Sequence, residues 1–578
     1  MMMRTLLQTC LFLFAGLLWF AFAQPAPPNY PQDFFRWPID HAIRVSGTFG
    51  ELRSNHFHAG IDLKSRRGAV GDPILAAGEG YISRIKIESR GYGNSLYLTH
   101  PNGYTTLYAH LSAFTPEIKA YVEAQQQEKE AFEVELFPRP DQFTFQQGEQ
   151  IGKMGNSGSS FGPHLHWEIR NTETEETINP LLFGLKMRDT RPPSMQQLRL
   201  YERDPAGLDK GQKTIRLQAS GGRYKVSGDT ITTASNLIGL AVKAYDHHDD
   251  VRNWNGLYRI EMELDDSLVY QLEMNRFAFS ETRFINAHLD YADEVTKKSF
   301  FNRCFVLPGN DLSMYGQVVD RGLIRLEPGQ ARKVRVRVGD ALGNNSYAEF
   351  WVKQVDDQAF KLPGHQYYLL HDEENRIETE DCVAHFFEQT LYEDLPFQYA
   401  SSQDGSREYY SRVHHLHHYK VPVHRFYELG IKPNRPLDSL DRQRAILAYC
   451  GPNGRSISCG GTWEDGYLKA MVRDLGDFAI LVDRVAPSIK SVDFRSDMRG
   501  RRSVRFRAKD NYKVARGVKQ LIYNAYIDGA WVILEYDQKN NLLIHRFSKE
   551  LDHGEHTFKL VVQDAVGNER TFERTFRY

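Results

Sequence analysis

The 578-residue chain has almost no net charge, with 72 Lys and Arg against 74 Asp and Glu. Nucleic-acid binders usually carry a basic excess, so this balance argues against that class, although it leaves room for a local basic patch. Cysteine is scarce too. Of five, Cys10 lies in an N-terminal apolar run. Cys304, Cys382, Cys450 and Cys459 show no CxxC spacing, which argues against a zinc–cysteine site. Cys450 and Cys459 bracket the segment GPNGRSIS and could close a small loop, a pairing that spacing leaves open. Beyond the N-terminus no segment is long and apolar enough to span a membrane. Glycine-rich phosphate loops are lacking as well.

The N-terminus begins with Arg4 and continues as an almost unbroken apolar stretch from Leu6 to Phe22. Ala21-Phe22-Ala23 then places small residues before Gln24 and a proline-rich run. This pattern predicts a secretory signal peptide over 1–23, cleaved after Ala23. An uncleaved anchor is the competing reading, because the stretch is nearly long enough to span. The expected location is the periplasm or cell envelope, with the extracellular space as the alternative, and no stable membrane span after cleavage.

The length predicts about three to five domains. Aromatics are abundant, with 30 Tyr and 34 Phe, and β-prone residues alternate in short runs punctuated by Gly and Asn. The predicted fold class is mainly β. The expected first domain, 24–188, contains a hairpin, GNSLYLTH–PNG–YTTLYAHL. It also contains one inserted helix over 115–132, opened by a Thr-Pro start signal. Beyond it the sequence repeats. Asp189-Thr-Arg-Pro-Pro-Ser is echoed by Asp483-Arg-Val-Ala-Pro-Ser, Ala244-Tyr-Asp246 by Ala508-Lys-Asp510, and VRVGDALGN (336–344) by LVVQDAVGN (560–568). These echoes predict a β-sandwich (Ig-like) module with an insertion over 189–358 and a C-terminal one over 483–578. A β-rich module of uncertain fold lies between them, at 359–482.

Three segments carry chemistry: Asn55-His-Phe-His58-Ala-Gly60-Ile-Asp62, Tyr108-Ala-His110-Leu and Gly162-Pro-His164-Leu-His166-Trp-Glu168. In a strand His164 and His166 face the same side about 6–7 Å apart, so both enter one site. On a straight strand His58 and Asp62 sit about 13 Å apart, but Gly60 permits a bend. Two imidazoles and a carboxylate leave a tetrahedral zinc one open position, the catalytic arrangement. His110 stands ready to stabilise an oxyanion or shuttle a proton.

These segments resemble the lysostaphin-type (LytM-like) zinc endopeptidases, peptidase family M23, over about 40–183. The family's HxxxD appears as His58…Asp62, its lone strand histidine as His110, and its GxxHxH-like segment as Gly162-Pro-His164-Leu-His166. In this last segment the glycine stands one residue closer to the first His. The resemblance implies a compact antiparallel β domain with one catalytic Zn2+ on His58, Asp62 and His166. It implies His110 and His164 as the catalytic histidines, and peptidoglycan cross-link peptide as substrate. The helix after His110 is longer than in a minimal catalytic domain and is expected to line or partly cover the groove.

Other readings compete. One is a non-catalytic wall-binding or hydrolase-activating protein, another a peptidase acting on proteins, and a third an adhesive β-sandwich protein. The β modules are expected to position, anchor or inhibit, with envelope proteins as candidate partners and nucleic acid excluded. His56 is an alternative first ligand in a shifted register. His100 is expected to be solvated at a hairpin end. His414, His415, His417, His418 and His424 are read as a His-rich exposed strand face in preference to a second metal site. Asp246, Asp249 and Asp250 are read as a solvated turn in preference to a calcium loop. Asp340…Asn344 and Asp564…Asn568 are expected to fix their turns through Asx-type bonds.

Overall fold

The computed structural model describes residues 29–204, 207–220, 223–355, 364–403, 408–452, 454–518, 520–548 and 551–578. The segment read as a signal peptide, with Cys10, lies outside the described residues. Among the described residues no helix is long and apolar enough to cross a membrane.

The first domain is built on an antiparallel sheet. Its main strands are β1 (Val45–Gly47), β2 (Ile61–Lys64), β3 (Gly80–Ile87), β4 (Asn94–Thr99), β5 (Tyr104–Ala109), β6 (Val134–Leu136) and β7 (His164–Asn171). They lie in the spatial order β1-β2-β7-β5-β4-β3-β6. Strands β4 and β5 form the expected hairpin around Pro101-Asn102-Gly103. In the central strand β7, Leu165, Trp167 and Ile169 point into the domain's core. Strand alternation therefore sends His164, His166, Glu168 and Arg170 to the opposite face.

The helix is present as α1 (Pro116–Glu128), shorter than expected, with Thr115 as its extended N-cap and Pro116 in the first turn. It does not line the groove. Ile118 and Val122 pack into the same core as Trp167, the side of the sheet away from the histidines. The helix's other neighbour is the C-terminal module, where the Gln127 amide donates to the Trp531 carbonyl at 2.9 Å.

Three further large cores follow along the chain. The first module stacks a five-stranded sheet on an eight-stranded one, with Leu200, Val242, Met262, Val336 and Phe350 between them. The middle region pairs a five-stranded and a six-stranded sheet around Tyr427, Leu447 and Phe478. The C-terminal module packs two four-stranded sheets around Phe506 and Phe558. The first and last are two-sheet sandwiches, as their repeated segments predict, and the middle region, whose fold the sequence left open, is likewise two sheets around one core.

The first domain and first module are joined through their cores. Phe49 and Phe57, which flank the turn leading to His58, are buried in the module's core. Their rings lie 5.3 and 5.7 Å from that of Phe277. The strand Thr177–Ile178 pairs with Arg276–Phe277, so the sheet of the first domain continues into the module.

Some expectations fail here. The Cys450–Cys459 pairing, which spacing left open, is not made. The hairpin register sets Cys450 opposite Ser456, while Cys459 hydrogen-bonds Leu447. That three-residue offset, about 10 Å along a strand, exceeds disulfide reach. His100 is buried rather than solvated, bonded to Glu79 O and Thr106 Oγ1. The histidine-rich stretch is not one exposed face. His414 is fully buried against Tyr399, His415 pairs with Asp477, and His424 stacks on Phe284 at 4.4 Å.

The joint between domain and module yields a test. Phe277→Ala removes a fully buried ring and should cost about 3–5 kcal/mol. Because Phe57 adjoins His58, metal retention should fall as well. Denaturant unfolding and metal content on one sample check both; an unchanged metal content would separate the joint from the site.

Candidate metal centre

His58, Asp62 and His166 converge. Asp62 on β2 stands directly opposite His166 on β7, so the two side chains leave the same face of the sheet. The chain bends at Gly60 and returns His58 to them. Only glycine fits at that bend, since a Cβ there would lie 2.3 Å from the Trp167 carbonyl oxygen. His58 Nε2 is 3.0 Å from Asp62 Oδ1 and 3.0 Å from His166 Nδ1. The third side of the triangle, His166 Nδ1 to Asp62 Oδ1, is 2.9 Å. His56 is exposed and bonds to the Ser54 carbonyl, so the shifted register is not adopted.

The outer partners determine which atoms face inward. His58 Nδ1–H donates to Thr48 O at 2.7 Å. On the far side of the other ring, His166 Nε2–H donates to Glu168 Oε1 at 2.8 Å. With those protons turned outward, His58 Nε2 and His166 Nδ1 offer lone pairs to one point, beside a carboxylate oxygen. Three lone pairs about 3 Å apart repel unless a cation or proton lies among them. A tetrahedral ion bonded at about 2.0–2.2 Å needs ligand atoms about 3.3–3.5 Å apart, so a small expansion admits a metal ion. The residues fit one.

The electrostatics agree. Burial opposes ionisation of Asp62, yet the neighbouring His58, His164 and His166 hold its carboxyl well below the usual range. Burial presses His58 down to about 4. His166 is also buried, but Asp62 and Glu168 pull it up to about 9. A proton and a metal ion therefore compete for the lone pairs of this triad.

Two further histidines border the triad. His110, in the left-handed region at φ 61° just beyond β5, donates Nδ1–H to Ser157 O at 2.9 Å. Burial first, then the neighbouring His164 and His166, push it down to about 3. The Gly162 carbonyl, 2.8 Å from His164 Nδ1, accepts that ring's proton, and His164 Nε2 lies 3.5 Å from Asp62 Oδ1. The two rings are 4.8 Å apart.

Some supporting residues had no role assigned from sequence. Glu168 is wholly buried and is held by Arg170 Nε at 2.7 Å and Tyr92 Oη at 2.6 Å. Arg53 Nη2 holds the second Asp62 oxygen at 3.1 Å and pairs with Glu51 at 2.9 Å. The signal for two of them was present in the run His164-x-His166-x-Glu168-x-Arg170, whose period of two places all four on one face.

The triad opens into a groove of about 1260 Å³ shared by three domains. Arg252, Asn253 and Trp254 of the first module and Arg516 of the C-terminal module border it together with Phe161. Nearby, Asp246 is not part of a solvated turn. It is buried and sits with Asp189 and His248, whereas Asp249 turns to Thr190.

Residues 56–127 and 141–180 match peptidase family M23. The chain carries an M23 domain. A DD-carboxypeptidase/endopeptidase Mpg of Neisseria meningitidis is 33% identical over 147 residues, 25% of this chain and 27% of that protein. The peptidoglycan DD-endopeptidase ShyC of Vibrio cholerae is 32% identical over 141 residues, 24% and 26% of the two chains. An uncharacterized metalloprotease of Haemophilus influenzae is 30% identical over 160 residues, 27% and 28%. The matches thus span about a quarter of the length of these relatives. Residues 366–483 match a Zu5-like domain.

The outer partners of the M23 triad generate a prediction. Glu168→Gln keeps the shape but removes the charge that orients His166, and should weaken metal binding about 10–100-fold. In the native protein, metal binding below about pH 9 must release the His166 proton. Apparent affinity should therefore fall about tenfold per pH unit as pH drops. Competition titrations with a chelator across pH 6–9 measure both.

Proposed function

We propose that this chain is an exported zinc endopeptidase that hydrolyses peptide bonds in peptidoglycan cross-links. The observation that carries the reading is the convergence of His58 Nε2, Asp62 Oδ1 and His166 Nδ1 at the floor of an open groove. The relatives named as DD-endopeptidases support the substrate class. In a wall without glycine bridges, the bond cut is one to or from a D-amino acid. The same relatives and the signal-like N-terminus point to the periplasm or cell envelope.

The donor set, two imidazoles and a carboxylate, is the catalytic zinc type. Zinc held there would polarise the scissile carbonyl and acidify water. The chain's own part is positioning and proton transfer. His110 and His164 each turn Nδ1–H to a backbone carbonyl, so in the neutral form each offers Nε2 as acceptor. One of these nitrogens takes the proton from the attacking water. As an imidazolium its N–H then holds the developing oxyanion and returns the proton to the leaving amide nitrogen, releasing the amine. The groove between domain and modules suits an extended peptide strand better than a folded protein.

The test uses zinc-loaded protein and purified peptidoglycan, with soluble fragments measured by chromatography. His110→Ala and His164→Ala should each lower kcat by about 10²–10⁴-fold with zinc content unchanged, whereas His166→Ala should lose the zinc itself. A zinc-replete wild type that cleaves neither peptidoglycan nor casein would sink the enzyme reading in favour of a wall-binding protein. Cleavage of casein in preference to peptidoglycan would replace the substrate.

A further inference from the structure

The two repeated modules share more than a turn. In the first, Asp340 Oδ1 accepts the Leu342 and Asn344 amides at 2.9 Å each, and Oδ2 accepts the Asn344 side-chain amide at 2.7 Å. That amide also reaches the Asp189 carbonyl at 3.3 Å. The C-terminal module repeats the arrangement: Asp564 takes Val566, Asn568 and the Asn568 amide at 3.0, 2.8 and 2.8 Å, and Asn568 reaches the Asp483 carbonyl at 2.9 Å. Asp189 and Asp483 each spend Oδ1 on a backbone amide two residues on.

This frame brings carboxylates together from strands far apart in sequence. Asp189, Asp246 and His248 have ligand atoms within 4.8 Å of one another, as do Asp483, Asp510 and Asp564. Several of the oxygens in these clusters lack a hydrogen bond. Asp246 is 1% exposed, yet its Oδ1 has no hydrogen bond, nor has Asp189 Oδ2 or, in the other module, Asp510 Oδ1. Asn255, also 1% exposed, has neither side-chain atom bonded. It faces Asp246 across a reciprocal backbone pair at 3.0 and 2.9 Å, which puts the two side chains on one face. Buried polar atoms left this way are costly unless something absent from the protein chain satisfies them.

His248 answers part of the charge in the first cluster, with Nε2 3.2 Å from Asp246 Oδ2. It does not reach Oδ1, and the repeat places Tyr512 at the matching position. Burial first, then Asp483 and Asp564, push Asp510 up to about 6, as expected of carboxylates crowded without a counter-charge.

We propose that each repeated module binds one calcium ion, through Asp189, Asp246 and Asn255 in the first and Asp483, Asp510 and Asp564 in the second. A hard cation suits the oxygen-only second cluster, and the ligand atoms of Asp483, Asp510 and Asp564, like those of Asp189 and Asp246, lie within 4.8 Å of one another, a separation that one ion bonded at about 2.3–2.6 Å spans. In the first module the ion ties the module's first residue to the base of the 247–254 loop, whose Arg252, Asn253 and Trp254 overhang the peptidase groove.

Equilibrium dialysis of the zinc-loaded full chain against radioactive calcium, with melting curves in parallel, tests this. Two ions per chain are expected, with a rise in melting temperature on calcium addition. Asp246→Asn and Asp510→Asn should each remove one ion. No bound calcium at 1 mM free ion overturns the proposal, as do two ions retained in both variants. A single ion lost in only one variant confines the site to that module and overturns the repeat. Should a variant fail to fold, the wild-type count alone still decides between two ions and none.

Discussion

Three lone pairs pointed at one another cannot be left so in a buried site. His58 Nε2, Asp62 Oδ1 and His166 Nδ1 are about 3 Å apart, and their outward protons are committed to Thr48 and Glu168. That arrangement calls for a positive charge, and much of the surrounding structure maintains it. Glu168 is fixed by Arg170 and Tyr92. Asp62 is restrained by Arg53. Gly60 lets the chain pass against the Trp167 carbonyl. A site assembled this way is preorganised, with its ligand orientation set before any ion arrives.

The same constraint explains why the modules are not loose appendages. The turn that carries His58 is buried on its apolar side by the first module, through Phe49 and Phe57. Thr48, whose carbonyl orients His58, also accepts the Gly256 amide of that module through Oγ1 at 2.9 Å. The C-terminal module reaches the other rim, where Lys539 Nζ contacts the carbonyl of Ser160 at 3.1 Å. Groove shape, ligand position and module packing are therefore coupled, and a substrate meets walls from three domains. If the modules carry calcium at the feet of their loops, wall geometry also depends on a second ion chemistry.

The grouping of His58, Asp62 and His166 was legible in the sequence because these residues lie in short segments with informative spacing. HxxxD with a central Gly, and His-x-His on a strand, each specify a local geometry. Their meeting depends on strand order, which the family resemblance implied and which the β2–β7 register makes concrete. Failures came where tertiary contacts decide. Nothing near His100 or His414 in sequence announces the partners that bury them. Cys450 and Cys459 were separable only once the hairpin register was known. The helix after His110 was recognisable as a helix, but which sheet face it covers follows from Ile118 and Val122 meeting Trp167. Asp340 and Asp564 were read correctly as turn-fixing residues. Their neighbours Asp189 and Asp483 were seen only as repeat markers, because nothing local shows that they meet Asp246 and Asp510.

The central claim is that one metal ion belongs among three named atoms. Anomalous diffraction at the zinc absorption edge, from crystals of protein never exposed to chelator, tests it most directly. The account predicts a single strong peak bonded at about 2.0–2.2 Å to His58 Nε2, Asp62 Oδ1 and His166 Nδ1. A well-ordered triad with no peak, or with zinc bound only elsewhere, would contradict it.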